Sequence, residues 1–491
     1  MARLYVDRGD LPAATRLLDQ ADAQMSGQDN PFLLRAYAVV RGELELARGN
    51  PESAESTLRA SILSEELQAR GAGEQNIIYA RQNRDLYAAL AGVWYAEHRP
   101  ANAILALWER YRLRILGQPV PTCASQRLDC LVPDVERALN REAAQTDSAG
   151  LKGQIVLHDR VLIYSAHARQ VTWTELHLPL PDLLTAATSL ERVTSSPMTS
   201  QASIDQAARR VGDIFFADLR SSSHSGTRLI LEPDPLLGNV PWPAAETADG
   251  PIGLRFDLEE TPSILLDSSR LRQQSRTQEI GGRLLVIAAS AGSGAQQILP
   301  EVLQEARDVA NAGKNSTLLV GDQVTEPQVA SRMASASVLH FAGHATQFDG
   351  ETRLLLAPSH TPGDKPYLDR NMFLKAPPRA AQLMVFSACA TGKREEGWNH
   401  GMGDIVDTLA SLGVPEVVAT RWQIDSASAV PMMNVFYRRL ADGDSVPRAL
   451  TAARESLNQD PRYNHPFYWA AYYASGTEST DLREVFRDNS K

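Results

Sequence analysis

Residues 337–350 read SVLHFAGHATQFDG and hold two of the ten histidines in the chain. The apolar run from Val338 to Ala342 fits a strand buried on both faces, so His340 lies inside it and His344 at or just past its carboxyl end. Four residues apart on a helix, the two imidazoles would share a face and invite a metal. On a strand that pairing is lost, and no third ligand or general-base glutamate of the H-E-x-x-H kind accompanies them. His340 is expected to be structural, and no metal or other cofactor is expected.

Outward from this stretch, from Arg283 on, strand and helix patterns alternate. RLLVIAAS, STLLVG, SVLHFAGH, TRLLLAP, AQLMVFSAC and PEVVATRW read as strands. Between and after them LPEVLQEARDVANAG, EPQVASRMAS (opening behind Thr325 as a cap), GDIVDTLASLG, AVPMMNVFYRRLADG and SVPRALTAARESLNQ read as helices. Continuous apolar strands imply a largely parallel sheet sandwiched by helices, an α/β class whose chemistry sits at the carboxyl edge of the strands. A second strand, LMVFSACATG, delivers Cys389 to that edge 45 residues after His344. An imidazole and a thiol delivered by two parallel strands to the same edge form the pair that nucleophilic catalysis needs. Small residues surround both groups: Ala342, Gly343, Ala345, Ala388, Ala390 and Gly392. They leave room for a peptide backbone to approach. LLVIAASAGSGAQQIL imitates a dinucleotide fingerprint with Gly292, Gly294 and a later Asp322, but Gln297 or Ile298 replaces the third glycine. It reads as a surface loop, and a nicotinamide-dependent enzyme is the weakest alternative.

The amino-terminal part is helical in pattern and internally repetitive. RGDLPAATRLLDQA from Arg8 is echoed by RGNPESAESTLRAS from Arg48, and AEHRPANAILALWERY keeps Ala103 and Leu107 but has lost the glycine. A turn glycine followed by small residues at a helix crossing suits stacked helical hairpins, which dock proteins or peptides. After GQPVPTCASQRLDCLVPD the texture turns to alternating strands, and the polar segment 268–282 reads as an internal boundary. The expected domains are 1–118 (helical repeats), 150–271 and 283–491.

Composition narrows the function. With 43% hydrophobic and 22% charged residues, and no run of roughly 18 apolar residues, no membrane span is expected. The first residues, MARLYVDRGD, carry no secretory h-region. A net charge of -10 leaves no basic footprint for direct nucleic-acid binding. Three cysteines (Cys123, Cys130 and Cys389) are too few for a disulfide framework or a zinc site, so Cys123 and Cys130 are expected to be ordinary thiols and the location cytoplasmic.

HFAGHA, SACATG and the tail GVPEVVATRWQID…HPFYWAAYYASG resemble the CHAT domain, a caspase-like, clan CD cysteine peptidase module often found behind tetratricopeptide repeats in bacteria. LILEPDPLLGNVPWPAAET, with Trp242, is similar to another segment of that family, and the amino-terminal echo resembles tetratricopeptide repeats, although its period is about 40 against the usual 34. The resemblance implies a caspase-like fold whose first half, 150–271, is inactive and whose second half, 283–491, is catalytic. It implies a cysteine endopeptidase making limited cuts in a partner protein, with Cys389 as nucleophile and His344 as general acid and base. Backbone N–H groups of Cys389 and of Ala345 (or Gly343) would form the oxyanion hole, and a protein activator or regulator would bind the repeats. Family members commonly carry a polar or acidic residue after the cysteine, where this chain has Ala390. Trp422 and Asp425, at another strand end, either line the pocket or serve as a packing tryptophan and a helix cap, while Asp349 is a further pocket candidate and, with Glu351, could favour a basic substrate side chain. A non-catalytic scaffold of the same architecture is the alternative function.

Overall fold

The computed structural model of the protein describes residues 1–25, 30–68, 75–120, 127–144, 148–167, 169–219, 227–266, 282–289, 299–348, 351–357, 363, 365–393, 405–476 and 481–487. The chain forms two compact units, one of residues 1–144 and 152–183 and one of 145–151 and 184–491.

The first unit opens with helices α1 (Ala2–Asp7), α2 (Leu11–Met25), α3 (Pro31–Ala47), α4 (Pro51–Gln68), α5 (Gln75–Gln82), α6 (Arg84–Ala96), α7 (Ala101–Ile115) and α8 (Val132–Ala143). The echo in the sequence is an echo in the backbone. Between α1 and α2 the N–H of Gly9 bonds the Val6 carbonyl and that of Asp10 the Tyr5 carbonyl. Gly49 with Asn50, and His98 with Arg99, repeat that pattern of bonds three and five residues back. Gly9 and Gly49 stand at φ 74° and 78°, and His98, where the third copy has no glycine, is forced to φ 55°. After each turn an alanine, Ala14, Ala54 or Ala103, is buried on the next helix, followed by Leu18, Leu58 or Leu107. Helix α8 lies where the sequence suggested only a change of texture, although its buried Val135, Ala138 and Leu139 keep a helical period. Cys130 is disulfide-bonded, which corrects the expectation of an ordinary thiol there. Counting cysteines says how many sulfurs exist, not which of them are bonded, and a disulfide removes the support that the count lent to a cytoplasmic location; Cys123 lies outside the described residues. The unit is completed by most of β1 (Ser148–Val156), by the hairpin of β2 (Val161–His167) and β3 (Gln170–Leu176), and by the start of α9 (Leu180–Thr194).

The second unit contains α10 (Gln201–Phe215), β4 (Thr227–Glu232), the short strands β5 (Glu246–Thr247) and β6 (Gly250–Pro251), α11 (Ile252–Arg255) and β7 (Phe256–Glu260). Then come β8 (Arg283–Ala289), α12 (Pro300–Ala312), β9 (Asn315–Val320), α13 (Glu326–Met333), β10 (Val338–Gly343), β11 (Ala345–Phe348), β12 (Glu351–Leu355), β13 (Tyr367–Leu368), α14 (Arg370–Lys375) and β14 (Leu383–Ala388). The chain ends with α15 (Ile405–Leu412), β15 (Glu416–Thr420), α16 (Ser426–Ala441), α17 (Val446–Gln459), α18 (Pro466–Trp469) and β16 (Tyr472–Gly476). The order β4-β7-β16-β15-β14-β10-β8-β9 runs through one sheet. Neighbours are parallel except at β15 and β16, so two parallel halves meet along one antiparallel seam. Each strand predicted in 283–420 forms, and Thr325 takes the N-cap position of α13, but its side chain makes no capping bond. The polar run after His344 folds as β11, a strand that the sequence reading did not foresee.

One face of the sheet presents Leu285, Ile287, Leu339, Phe341, Met384, Phe386, Val417 and Ala419 to Val329 and Met333 of α13, Phe373 of α14 and Leu409 of α15. The other face carries His340, Ala342, Val385 and Ser387, all buried. Burial stabilises by roughly 1.5–3 kcal/mol for each of these apolar side chains. Near the seam, burial pushes the Asp257 carboxyl on β7 up to about 6, against the opposing pull of Arg448. No helix among the described residues is long and apolar enough to cross a membrane.

Two outcomes follow. His98→Gly relieves a left-handed side-chain residue and should stabilise the first unit by about 0.5–1 kcal/mol, read by urea unfolding of the full chain. Asp257 holds its proton more tightly folded than unfolded, so its carboxyl is no burden at pH below about 4. As pH rises through about 6 the stability falls, by on the order of 2–3 kcal/mol. Asp257→Asn should abolish that decline and raise the melting temperature at pH 7.5.

Candidate active site

His344 and Cys389 leave the sheet side by side. β10 and β14 are parallel and in register through Gly343 opposite Ala388, and each candidate residue is the next in its chain. Neighbouring strands lie about 4.8 Å apart, so the two residues emerge at adjacent points of one sheet edge. Both are partly exposed. Gly343 lets β10 lie close to β8: a Cβ there would stand 2.7 Å from the Ala289 carbonyl oxygen and 2.8 Å from the Ala289 Cβ. His340, fully buried, has Nδ1 3.0 Å from the Tyr437 hydroxyl and Nε2 3.1 Å from Glu305, so it is held within the layers.

The turn after β14 is bound from several directions. The β14–β15 ladder ends at Val385 opposite Val418, and two threonines continue the join. The Thr420 hydroxyl donates to the Ala388 carbonyl at 2.5 Å, and the Thr420 N–H donates to the Thr391 hydroxyl at 3.1 Å. Ala390 has φ 52°, left-handed for a residue with a Cβ. Its N–H donates to the Trp422 carbonyl at 3.1 Å, and its carbonyl accepts from the Lys393 N–H at 3.3 Å and from the Gln347 side-chain amide at 3.1 Å. The Lys393 ammonium lies 3.2 Å from Glu191.

Burial pushes the Cys389 thiol up, while the N–H groups of Ile424 and of Cys389 itself pull it down. At neutral pH the sulfur is therefore mainly a thiol, and a base must take its proton before it can attack. Ala345 stands opposite Leu354, while the Leu355 N–H bonds the His344 carbonyl at 2.9 Å. Bonded and non-bonded pairs alternate in an antiparallel ladder, so the Ala345 N–H turns away from β12. Trp422 is buried, with its indole N–H donated to the Phe467 carbonyl at 3.1 Å. The Asp425 carboxylate caps α16, accepting from the Ser428 N–H at 2.8 Å. Asp349, like the glycine loop 292–298, lies outside the described residues. Sequence reasoning missed Gln347, Thr391, Thr420 and Ile424, since their contributions are hydrogen bonds across strands and backbone amides without a side-chain signature.

Residues 205–477 match the CHAT domain, more than half of the chain, and the protein belongs to that family. No curated protein matches the sequence. Among solved structures, the Arg-specific cysteine proteinase gingipain R is 10% identical with a TM-score of 0.37, over 61% of this chain and 75% of that one. Two separase–securin complexes of Saccharomyces cerevisiae are 9% identical. Their TM-scores are 0.48 and 0.46, over 87% and 97% of this chain. The chain spans 37% and 46% of those separase chains.

Gly343→Ala should cost about 1–3 kcal/mol, because the new methyl meets fixed backbone and not a movable side chain. Thermal unfolding checks the cost, and slower alkylation of Cys389 in the folded protein checks the accompanying shift of the strand ends.

Proposed function

We propose that the protein is a cysteine endopeptidase that makes limited cuts in a partner protein. The observation that carries this reading is the parallel register of β10 and β14, which supports Cys389 and His344 as one chemical unit at a carboxyl sheet edge. His344 takes the proton from the Cys389 sulfur as the sulfur adds to the scissile carbonyl carbon, and the carbonyl electron pair moves to oxygen. The N–H groups of Cys389 and Ala345 receive that oxyanion. Collapse expels the amine, which leaves with the proton from His344, and the acyl group stays on sulfur. Water, deprotonated by His344, then attacks the thioester and releases the new carboxyl terminus and the free thiol. No cofactor takes part.

The helical hairpins of the first unit, similar to tetratricopeptide repeats in their turns, are suited to docking a protein substrate, activator or regulator. Docking would restrict cleavage to one partner and make the peptidase controllable. Trp422, buried, and Asp425, the cap of α16, hold the strand end beside the site, and Asp349 remains a candidate for selecting the substrate side chain.

Incubating the full chain with a proteome-derived peptide library and sequencing the new amino termini tests the reading. Wild type should yield a recurrent cleavage motif, and Cys389→Ala or His344→Ala should lower cleavage by about a thousandfold or more. Cleavage that survives Cys389→Ala would sink the mechanism.

A further inference from the structure

Gln347 follows His344 by three residues, on the exposed strand β11. Its side-chain amide donates to the Thr352 hydroxyl on β12 at 2.8 Å and to the Ala390 carbonyl at 3.1 Å. Gln347 and Thr352 face each other at a non-bonded position of the hairpin, where side chains come closest. The hydroxyl thus steadies the amide that reaches the cysteine turn. That turn contains the left-handed Ala390, a conformation that an L-residue keeps only when its surroundings hold it. Trp422 holds the Ala390 N–H, whereas Gln347 is the side chain that holds its carbonyl.

We propose that Gln347 is a positioning residue for the nucleophile, its amide fixing the Ala390 peptide and so the direction of Cys389 Sγ. The inference deepens the cysteine-nucleophile reading and rests on it. It also joins the two strand ends: the segment leaving His344 grips the segment leaving Cys389, so the hairpin β11–β12 and the thiol move together. With that grip lost, Cys389 spends less time aimed at the Ile424 N–H, and its thiolate is less well held.

The test uses the full chain and iodoacetamide, with alkylation of the Cys389 peptide followed by mass spectrometry across pH, and hydrogen exchange at the Ala390 amide. Gln347→Met keeps the shape and removes the donor. It should move the midpoint of the alkylation profile to higher pH and speed Ala390 exchange about three- to tenfold, with the unfolding temperature unchanged. Thr352→Val should give the same changes in weaker form, and Thr352→Ser, which keeps the hydroxyl, should behave as wild type. A Gln347→Met protein with the wild-type midpoint and exchange rate overturns the proposal, as does one whose changes come with a drop in unfolding temperature. Neither readout needs a cleaved substrate, so failure here leaves the peptidase reading standing, and failure of that reading leaves these measurements interpretable.

Discussion

The parallel pairing of β10 with β14 is the constraint on which the rest of the second unit depends. Its last pair, Gly343 opposite Ala388, is flanked on the other side by Ala289 of β8, and three small residues abreast let the ladder run to the edge. A side chain at Gly343 would press on Ala289 of β8. Small residues at this edge therefore let the backbones of β8, β10 and β14 lie close together.

Beyond the ladder the sheet no longer holds the chain, and individual hydrogen bonds take over. Thr391 and Thr420 bridge the strands where backbone pairing ends, while Trp422 and Gln347 grip Ala390 from opposite sides. An uncommon backbone conformation directly after Cys389 needs such support, and each bond belongs to a segment that leaves a strand at the same edge. In the same place the sulfur is disfavoured as an anion by burial and favoured by two backbone amides. That balance suits a thiol that stays protonated until an imidazole acts on it.

The first unit applies a similar economy to turns. Three connections share one hydrogen-bond pattern, and the copy without a glycine adopts the left-handed conformation anyway, through His98. The geometry of the helical hairpin sets that backbone conformation, and the residue accommodates it.

Much of this was legible in the sequence. Continuous apolar runs revealed the parallel strands, and their ends revealed which histidine and which cysteine reach the edge, because side-chain hydrophobicity and strand period are local properties. The repeated glycine, alanine and leucine spacing disclosed the helical hairpins for the same reason. Strand β11, helix α8, the disulfide at Cys130 and the left-handed Ala390 were not legible: β11 is polar and half exposed, so it lacks the apolar signal of the buried strands, and Ala390 is held by Gln347 and Trp422, which lie far from it in the chain. Asp425 shows the boundary well: the sequence left it between pocket and cap, and the position of the Ser428 amide shows the cap. The sequence by itself determined the strands, the order of His344 and Cys389 and the family they belong to. Only the tertiary structure decided their register and the bonds from Gln347, Trp422 and Ile424, because hydrogen bonds between strand ends exist only once the sheet has brought those ends together.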